Sequence, residues 1–414
     1  MSNDKIRVLF LVRNYYPELT GIAPYVTAMS QHLAKNGFGV TVVTSFPHFP
    51  EWRIHQGYRG KWFMRERLNG VEILRSYTYV PSSHTPLNRI LYELSFPIFS
   101  LPLIPYIRRC DVIWCVSPPI VTGLTAYLLN LYRRIPFVLE IRDLVTEAAI
   151  VTGTLKSSRF AQMPFVIEKF VYDRASAISV LSPGFAENLY SKGVSRSKIH
   201  LIPNWVDLDF IRPLERNNVF RKKQGISEEQ FLVMFSGAMG KKDNLGAVLD
   251  AAELLRKHEE ILFMLIGEGI QKPYLMEKAR KRNLSNVRFL PLQPKEMFPY
   301  MLSAADVLIV SYYASVVEFC MPSKILTYMA SATPLVAAAN PKSETAKTIR
   351  EAGGGLLVEP ENPQAIAEAI LELKGSDELR RQLGTNGRLF VSEYFEKSKV
   401  LKQFEDLVRK VVHC

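Results

Sequence analysis

The stretch that decides the fold is Glu318-Phe-Cys-Met-Pro-Ser-Lys324-Ile-Leu-Thr-Tyr-Met-Ala-Ser-Ala-Thr-Pro334-Leu-Val-Ala-Ala338. It predicts a tight loop, a helix that begins at Pro322-Ser323, and a short buried strand over 334–338. Proline suits the first turn of a helix because its missing N–H would be unpaired there anyway. The free N–H groups of that turn attract anions, and Lys324 adds a cation at the same place. The pattern favours a phosphate site, with plain helix capping as the simpler alternative.

Apolar runs of strand length alternate with helical patterns on both sides of this stretch. Such alternation predicts parallel sheets covered by helices, the doubly wound α/β architecture. We expect six or seven strands in the first sheet. The predicted strands lie at 6–12, 40–44, 111–117, 137–141, 177–181 and 198–202 in the first half of the chain, and at 231–235, 261–266, 287–289, 306–310, 334–338 and 353–358 in the second half.

The length of 414 residues predicts two domains of roughly 200 residues each. We place them at 1–205 and 206–394, with a linker between Pro203 and Pro213 and a last helix at 395–414. The excess of 52 Lys and Arg over 40 Asp and Glu gives a net charge of +12, which predicts an anionic partner. A nucleotide diphosphate and an anionic membrane surface both qualify. Nucleic acid is disfavoured because no basic run carries interleaved aromatic residues.

The four cysteines have neither zinc-site spacing nor the density of a disulfide framework, so a reducing cytosol is expected. The amino-terminal residues lead directly into a predicted strand, and we expect no signal peptide. No run reaches the ~20 apolar residues that a membrane-spanning helix requires.

Two segments stand out between the predicted strands. Residues 46–68 are irregular, aromatic and basic, and are either an acceptor-side wall or a solvated insertion with buried tryptophan anchors. Residues 88–107 are apolar and aromatic, with three prolines inside and Arg108-Arg109 behind them. This second segment is either an anchor at a membrane interface or part of the domain core.

Candidate ligand-binding residues follow the predicted strands. Three strand-to-helix turns occur in the second half, at Gly237–Lys242, Gly267–Gly269 and Pro322–Lys324. In the first half, Gly21 precedes a helix and Arg142-Asp143 follows the strand at 137–141. Ligands of open α/β sheets bind beyond the carboxyl ends of the strands, so these positions are candidates, although each motif alone is common.

Together, in this order, these pieces resemble the GT-B glycosyltransferases of family four. The resemblance is strongest to the branch that makes bacterial surface polysaccharides of the colanic acid and O-antigen type. The segments that carry it are Gly21-Ile-Ala-Pro-Tyr25, Leu181-Ser-Pro-Gly184, Ile202-Pro-Asn-Trp-Val-Asp207, Phe235-Ser-Gly237, Gly267-Glu-Gly269 and Pro322-Ser-Lys324. The resemblance implies two Rossmann-like doubly wound domains that face a cleft, with the last helix crossing back to the first domain.

The resemblance also implies a reaction. The enzyme would transfer a sugar, with retention and without a metal, from a nucleotide-diphosphate donor bound by the second domain. A UDP-sugar, for example an N-acetylamino sugar, is the expected donor, and no other cofactor is expected. The acceptor would be a polyprenyl-diphosphate-linked saccharide, bound by the first domain at the inner face of the cell membrane.

Roles for individual residues follow from the same resemblance. Positive groups must stabilise the departing diphosphate, and this role falls to Lys241 or Lys242, Lys324, the Ser323 helix start and backbone near Gly21. Asp143 would contact the acceptor hydroxyl or the developing positive charge. The predicted catalytic residues are Asp143, Lys242 and Lys324, and the predicted donor-binding residues are Gly21, Gly237, Lys241, Gly267, Gly269, Leu292 near the base, Glu318 on sugar or ribose hydroxyls, and Ser323.

Four departures from the family pattern leave alternatives open. The family usually has arginine where this chain has Ala238, glutamate at Thr327, glycine at Ala332, and histidine at or near Arg142. A catalytically silent GT-B scaffold, or a UDP-sugar 2-epimerase, is therefore an alternative. A Rossmann oxidoreductase is disfavoured because 13–21 lacks the Gly-x-Gly-x-x-Gly pattern. A metal site at Asp207-x-Asp209 is rejected because its flanking prolines are typical of the linker.

Overall fold

The computed structural model describes residues 5–83, 85–107, 109–144, 163–317 and 323–413. The chain divides into two compact units. One comprises Met1–Pro203 together with Leu401–Cys414, and the other comprises Asn204–Val400. The change from the first unit to the second falls inside the segment read as a linker, and the last helix contributes most of its length to the first unit.

The first unit contains a sheet of eight strands, in the order β3-β4-β2-β1-β5-β6-β7-β8. All neighbours pair in parallel except β3 and β4. The prediction of six or seven strands was therefore too low. The strands are β1 Arg7–Leu11, β2 Gly39–Ser45, β3 Phe63–Leu68, β4 Val71–Ser76, β5 Val112–Ser117, β6 Phe137–Ile141, β7 Ala177–Val180 and β8 Ile199–Leu201.

Strands β3 and β4 were both missed, and β3 lies inside the segment predicted to be irregular. Its sequence Phe-Met-Arg-Glu-Arg-Leu alternates exposed with half-buried positions, because β3 is an edge strand. Charged side chains are typical of edges, where they discourage pairing with other chains. An apolar periodicity is therefore missing although the strand is real.

Helices connect the strands of the first unit. Thr85 and Ser182 cap two of them by accepting backbone N–H groups of Asn88 and Phe185. The helices of the first unit are α1 Ala23–Lys35, α2 Pro86–Ser100, α3 Thr122–Arg133, α4 Met163–Arg174 and α5 Pro183–Ser191.

The final helix of the chain packs into the first unit. This helix, α14, spans Lys397–Val412. Phe404 lies with its ring centroid 6.1 Å from that of Phe10 and 4.6 Å from that of Trp114. All three side chains are fully buried. Aromatic burial of this kind stabilises the unit through a large apolar area and edge-to-face ring contacts.

Helix α2 has two apolar faces with different surroundings. One face is buried and includes Tyr92 and Phe96. The other face is exposed and consists of Leu87, Ile90, Leu91, Leu94 and Ile98. The interpretation as part of the domain core therefore holds for the buried face, and the interpretation as a membrane-interface anchor stays a prediction for the exposed face. Within the described ranges, no helix is both long and apolar enough to span a bilayer.

The second unit contains a sheet of six parallel strands, in the order β11-β10-β9-β12-β13-β14. All six were predicted. Alternate residues of β9 enter two separate cores, Leu232 and Met234 in one and Val233 and Phe235 in the other. The sheet is thus buried on both faces, as parallel sheets are. The strands are β9 Phe231–Ser236, β10 Ile261–Ile266, β11 Val287–Leu290, β12 Val307–Ser311, β13 Leu335–Ala338 and β14 Gly355–Val358.

Helices cover this second sheet, and Asn244, Ser343, Asn362 and Ser376 cap four of them. The doubly wound α/β architecture predicted for both halves is confirmed. The helices are α6 Val219–Gln224, α7 Leu245–Leu254, α8 Lys272–Lys281, α9 Phe298–Ala304, α10 Ser323–Ala330, α11 Glu344–Ala352, α12 Pro363–Gly375 and α13 Asp377–Tyr394.

Candidate active site

Two glycine loops interlock at the carboxyl ends of β9 and β10. The N–H of Gly237 donates to the carbonyl of Ile266 at 3.0 Å, and that of Met239 donates to the carbonyl of Glu268 at 2.9 Å. A Cβ atom on Gly267 would lie 1.9 Å from the carbonyl oxygen of Gly237, and one on Gly269 would lie 2.4 Å from that of Met239. Gly267 and Gly269 are therefore required for contact between the two loops, independently of any ligand.

Lys324 reaches the first of these loops from the first turn of α10. Its Nζ donates to Oδ1 of Asp243 at 3.1 Å and lies 4.5 Å from the centroid of the Phe235 ring. A Cβ atom on Gly237 would lie 3.5 Å from this ammonium group. The Lys324 side chain is 17% exposed, so a ligand can still reach the ammonium. Burial lowers the pKa of Lys324, and Asp243 opposes that shift.

Asp243 is a site residue that the sequence analysis missed. Its side chain is only 3% exposed and accepts from the backbone N–H of Gly240 at 3.1 Å as well as from Lys324. It thus fixes the loop and the lysine together. The only signal in the sequence was an acidic residue just before the helix cap Asn244. Such residues are frequent in α/β proteins, so this one did not mark a site.

Tyr328 anchors helix α10 to the end of β9. Its hydroxyl donates to the carbonyl of Ser236 and accepts from the N–H of Ser236, both at 2.7 Å. Burial raises the pKa of this phenol, so it stays protonated. Tyr328 lies one turn after Lys324 on the same helix. Its hydrogen bonds to Ser236 therefore fix the turn of α10 that carries the lysine. Thr327, at the position where the family usually has glutamate, donates its hydroxyl to the carbonyl of Ser323 at 2.9 Å.

The other predicted cations lie in the same loop. Lys241 and Lys242 are exposed. The Nζ of Lys242 lies 5.7 Å from the centroid of the Tyr312 ring, and that of Lys324 lies 5.8 Å from the same centroid. The structure therefore brings Lys242 and Lys324 to one aromatic ring. In the described part of the chain neither Lys241 nor Lys242 has an ion-pair partner.

Lys272, a second residue that the sequence analysis missed, stabilises the Gly267–Gly269 loop. Its Nζ donates to the carbonyls of Gly267 at 2.8 Å and Leu290 at 3.3 Å, and it pairs with Glu268 at 2.7 Å. The end of β11 is thereby held against the glycine loop. Leu292 lies two residues after the end of β11 and is 68% exposed, and its contact with a nucleotide base stays a prediction.

Two of the departures have a local structural consequence. Ala332 adopts a φ of 56°, in the left-handed region where glycine is the ordinary choice. The alanine therefore carries backbone strain just after α10. Ala238 is exposed in the first glycine loop, so position 238 does not supply the positive charge that arginine usually supplies in the family. Glu318 and Pro322 lie outside the described residues.

The predicted residues of the first unit lie near the carboxyl ends of β1 and β6. Gly21 has a φ of 66° and precedes α1, whose cap residue Ile22 provides no side-chain acceptor. The guanidinium carbon of Arg142 lies 4.5 Å from the centroid of the Tyr25 ring in the first turn of α1. The loop after β6 and the start of α1 therefore meet. Asp143 is exposed beside this contact.

Arg142 itself is sealed inside the unit. Its side chain is 4% exposed and forms an ion pair with Glu140, which also accepts from Trp114 Nε1 at 2.7 Å. Glu140 lies inside strand β6, where the apolar run around it hid its significance.

A buried polar network beside β2 was also missed. The side chains of Glu18 and His48 are both fully buried. Glu18 accepts the backbone N–H groups of His48 at 2.7 Å and Phe49 at 2.9 Å. His48 Nε2 and the Tyr92 hydroxyl share a hydrogen bond of 2.8 Å. The network ties the loop after β2 to α2, and no local sequence pattern announces it.

Within 5–83, 85–107, 109–144, 163–317 and 323–413, no three His, Cys, Asp or Glu side chains are grouped closely enough to hold one ion. Asp207, part of the rejected motif, pairs with Lys397 at 2.8 Å and accepts the N–H of Phe210.

Two family models of glycosyl transferases match this chain. The model of the group 1 glycosyl transferases matches residues 217–390, and that of the glycosyl transferase 4-like domain matches residues 20–205. The chain belongs to the GT-B glycosyltransferases. The resemblance stated from the sequence motifs is thereby confirmed. A full-length relative of this glycosyltransferase is the putative colanic acid biosynthesis glycosyl transferase WcaI of Escherichia coli, 27% identical over 98% of this chain and 100% of the relative.

Solved structures agree on the fold of this glycosyltransferase. Sucrose-phosphate synthase from Thermosynechococcus elongatus superposes with a TM-score of 0.73 at 19% identity, covering 98% of this chain and 99% of the other. HepE from Anabaena, solved in complex with UDP, gives a TM-score of 0.73 at 15% identity, covering 98% and 100%. The arrangement of two Rossmann-like units is therefore the GT-B fold.

Proposed function

We propose that this glycosyltransferase transfers a sugar from a UDP-linked donor to a lipid-linked saccharide in bacterial surface polysaccharide synthesis. The observation that carries the proposal is the Lys324 ammonium, held 3.1 Å from Asp243 beside the Gly237 loop. Breaking the anomeric C–O bond places negative charge on the departing diphosphate. Fixed cations lower the barrier because they stabilise that charge without reorganisation.

The donor part of the proposal assigns the diphosphate to the second unit. Lys324, Lys242 and Lys241 would bind its oxygens, with the N–H groups of the first turn of α10 at Ser323. Because three lysines can offset the charge of the diphosphate, metal-independent transfer is part of the proposal. Retention of the anomeric configuration is also proposed, on the family resemblance alone. The UDP in the HepE structure supports the choice of nucleotide. Glu318 and Gly21 keep their proposed donor contacts.

A thermal-shift assay with and without a chelator tests the donor site. UDP at ~100 times its dissociation constant stabilises a protein by roughly 2.7 kcal/mol. We expect UDP to shift the wild type, and Lys324→Ala to lose the shift together with about 100-fold or more in transfer rate. Lys342→Ala removes another exposed lysine of the same unit and is the matched control. An unchanged shift in Lys324→Ala would refute the assignment.

The acceptor part of the proposal rests on the first unit. The name of WcaI connects that relative to colanic acid, and this chain would act on a polyprenyl-diphosphate-linked saccharide, with Asp143 at the acceptor hydroxyl or the developing positive charge. The exposed leucine and isoleucine ridge of α2, followed along the chain by Arg109, would dock at the anionic inner face of the membrane. Interfacial helices combine such an apolar face with neighbouring cations.

Vesicle co-sedimentation tests the docking. We expect Leu87→Glu with Leu91→Glu to weaken binding to anionic vesicles about tenfold or more, because each leucine loses the apolar surface it would bury. Leu389→Glu changes an equally exposed helical leucine of the second unit and is the control. Equal binding by all three proteins would contradict docking through α2.

A catalytically silent scaffold is the second candidate, and the hydroxyl of Thr327 favours it. That hydroxyl is already bonded to its own helix, in the position where a ribose ligand is usual in the family. Chromatography of donor, acceptor and products separates the candidates. Transfer supports the enzyme, UDP binding without turnover supports the scaffold, and epimerised donor without acceptor would identify a 2-epimerase.

A further inference from the structure

Two adjoining grooves lie at the amino edge of the first sheet, opposite the edge that carries Gly21 and Asp143. Their volumes are about 600 and 570 Å³, and they share Arg109 and Cys110 as lining residues. The first residues of β1 and β2, Arg7 and Gly39, line the second groove. Strands of five residues separate the two edges by about 16 Å, so the grooves are distinct from the proposed reaction site.

The grooves carry an excess of positive charge. Their carboxylates are Glu66, Glu72 and Asp111, and the first two form ion pairs with Arg75 and Arg65. Among the described residues, six lining cations have no ion-pair partner, and one of them, Arg133, donates to backbone carbonyls. The other five are Lys5, Arg7, Arg67, Arg109 and Arg134.

Local structure holds these cations at the grooves. A Cβ atom on Gly39 would lie 3.0 Å from Cγ of Arg7, so the glycine leaves room for the arginine stem. Arg133 donates to the carbonyls of Ile107 and Ile104 at 3.0 and 3.1 Å and thereby fixes the segment that leads to Arg109. Burial raises the pKa of the Cys110 thiol to about 11, so the shared wall is neutral. Uncompensated like charges in a concave surface are costly unless an anion binds there.

We infer that these grooves form a second binding site, for a phosphate-bearing anion. Arginine favours phosphate because its planar fork donates two parallel hydrogen bonds. A free polyphosphate and a lipid headgroup offer the same oxygens, and the experiment separates these two sources.

Calorimetric titration of the full chain with inorganic pyrophosphate tests the site. Every protein carries Lys324→Ala, so the proposed donor site does not contribute. We expect the site to bind pyrophosphate and Arg67→Gln with Arg109→Gln to weaken that binding about tenfold or more. Arg381→Gln, at an exposed arginine of the second unit, is the control. The melting temperatures of all variants verify that they remain folded.

A second titration uses monomeric dihexanoylphosphatidylglycerol below its micelle concentration, with the phosphatidylcholine analogue as reference. Loss of pyrophosphate binding in the double variant supports a free anion as the ligand. Loss of phosphatidylglycerol binding alone supports a headgroup. Absence of binding by both probes, or equal losses in Arg381→Gln, would overturn the inference. Neither result depends on whether the chain transfers sugar.

Discussion

Lys324 in the second unit and Arg142 in the first occupy comparable places. Lys324 lies in the first turn of α10 and Arg142 directly after β6. Each cation pairs with a buried carboxylate and stands 4.5 Å from the centroid of an aromatic ring. The difference is accessibility. The side chain of Lys324 is 17% exposed and that of Arg142 only 4%.

The carboxylates that pair with these two cations also differ in how deeply they belong to the core. Glu140 belongs to strand β6 and also binds the Trp114 indole, so its pair with Arg142 is part of the core. Asp243 belongs to a loop and fixes the Gly240 backbone. We therefore expect Lys324 to exchange Asp243 for the diphosphate in the proposed donor complex, whereas Arg142 holds the loop of Asp143 in place.

The largest expected loss of stability comes from removing one partner of the buried Arg142–Glu140 ion pair. Arg142→Gln leaves Glu140 buried without its partner, and we expect it to destabilise the first unit by about 3 kcal/mol. Denaturant unfolding followed by tryptophan fluorescence measures the change, because Trp114 lies at the pair. Arg89→Gln, at an exposed arginine of α2, should change stability by less than about 0.5 kcal/mol. Equal stability of Arg142→Gln and wild type would show that the pair is not sealed.

The accessible pair should behave differently. Asp243→Asn leaves the Lys324 ammonium without its counter-charge, and we expect a loss of about 2 kcal/mol in the free protein. UDP should recover part of this loss, because its diphosphate replaces the carboxylate. Thermal unfolding with and without UDP measures both numbers. If UDP stabilises Arg142→Gln as much as it stabilises Asp243→Asn, the proposed difference between the two ion pairs is wrong.

The smallest expected effect concerns pH. Burial lowers the pKa of Lys324, so this lysine loses its proton at a lower pH than an exposed lysine would. Affinity for UDP should therefore be complete below that pKa and fall about tenfold as the pH rises through it. In Lys324→Arg the guanidinium stays charged, and the fall should disappear. Calorimetric titration at several pH values distinguishes the two, and an identical fall in both proteins would exclude Lys324 as its source.

Much of the fold was predictable because it follows from local patterns. The four inner strands of the second sheet, β10, β9, β12 and β13, are apolar runs that are buried throughout, and such runs are visible in the sequence. Strand β3 was not predictable, because an edge strand with exposed arginines has no apolar period. The Gly237 loop and Lys324 were recognised from motifs, whereas Asp243, Glu140 and the Glu18–His48 network were not, since their partners are remote in the chain.

The sequence by itself determined the element order, the glycine turns, the helix start at Lys324 and the family resemblance, because each depends on neighbours within a few residues. Only the tertiary structure decided that Lys324 meets Asp243, 81 residues away, and that Gly267 touches Gly237. It alone gathered Lys5, Arg67 and Arg109 at one edge of the first sheet. The physical reason is the strand order, because crossover connections bring distant strand ends together, and no local pattern records which ends will meet.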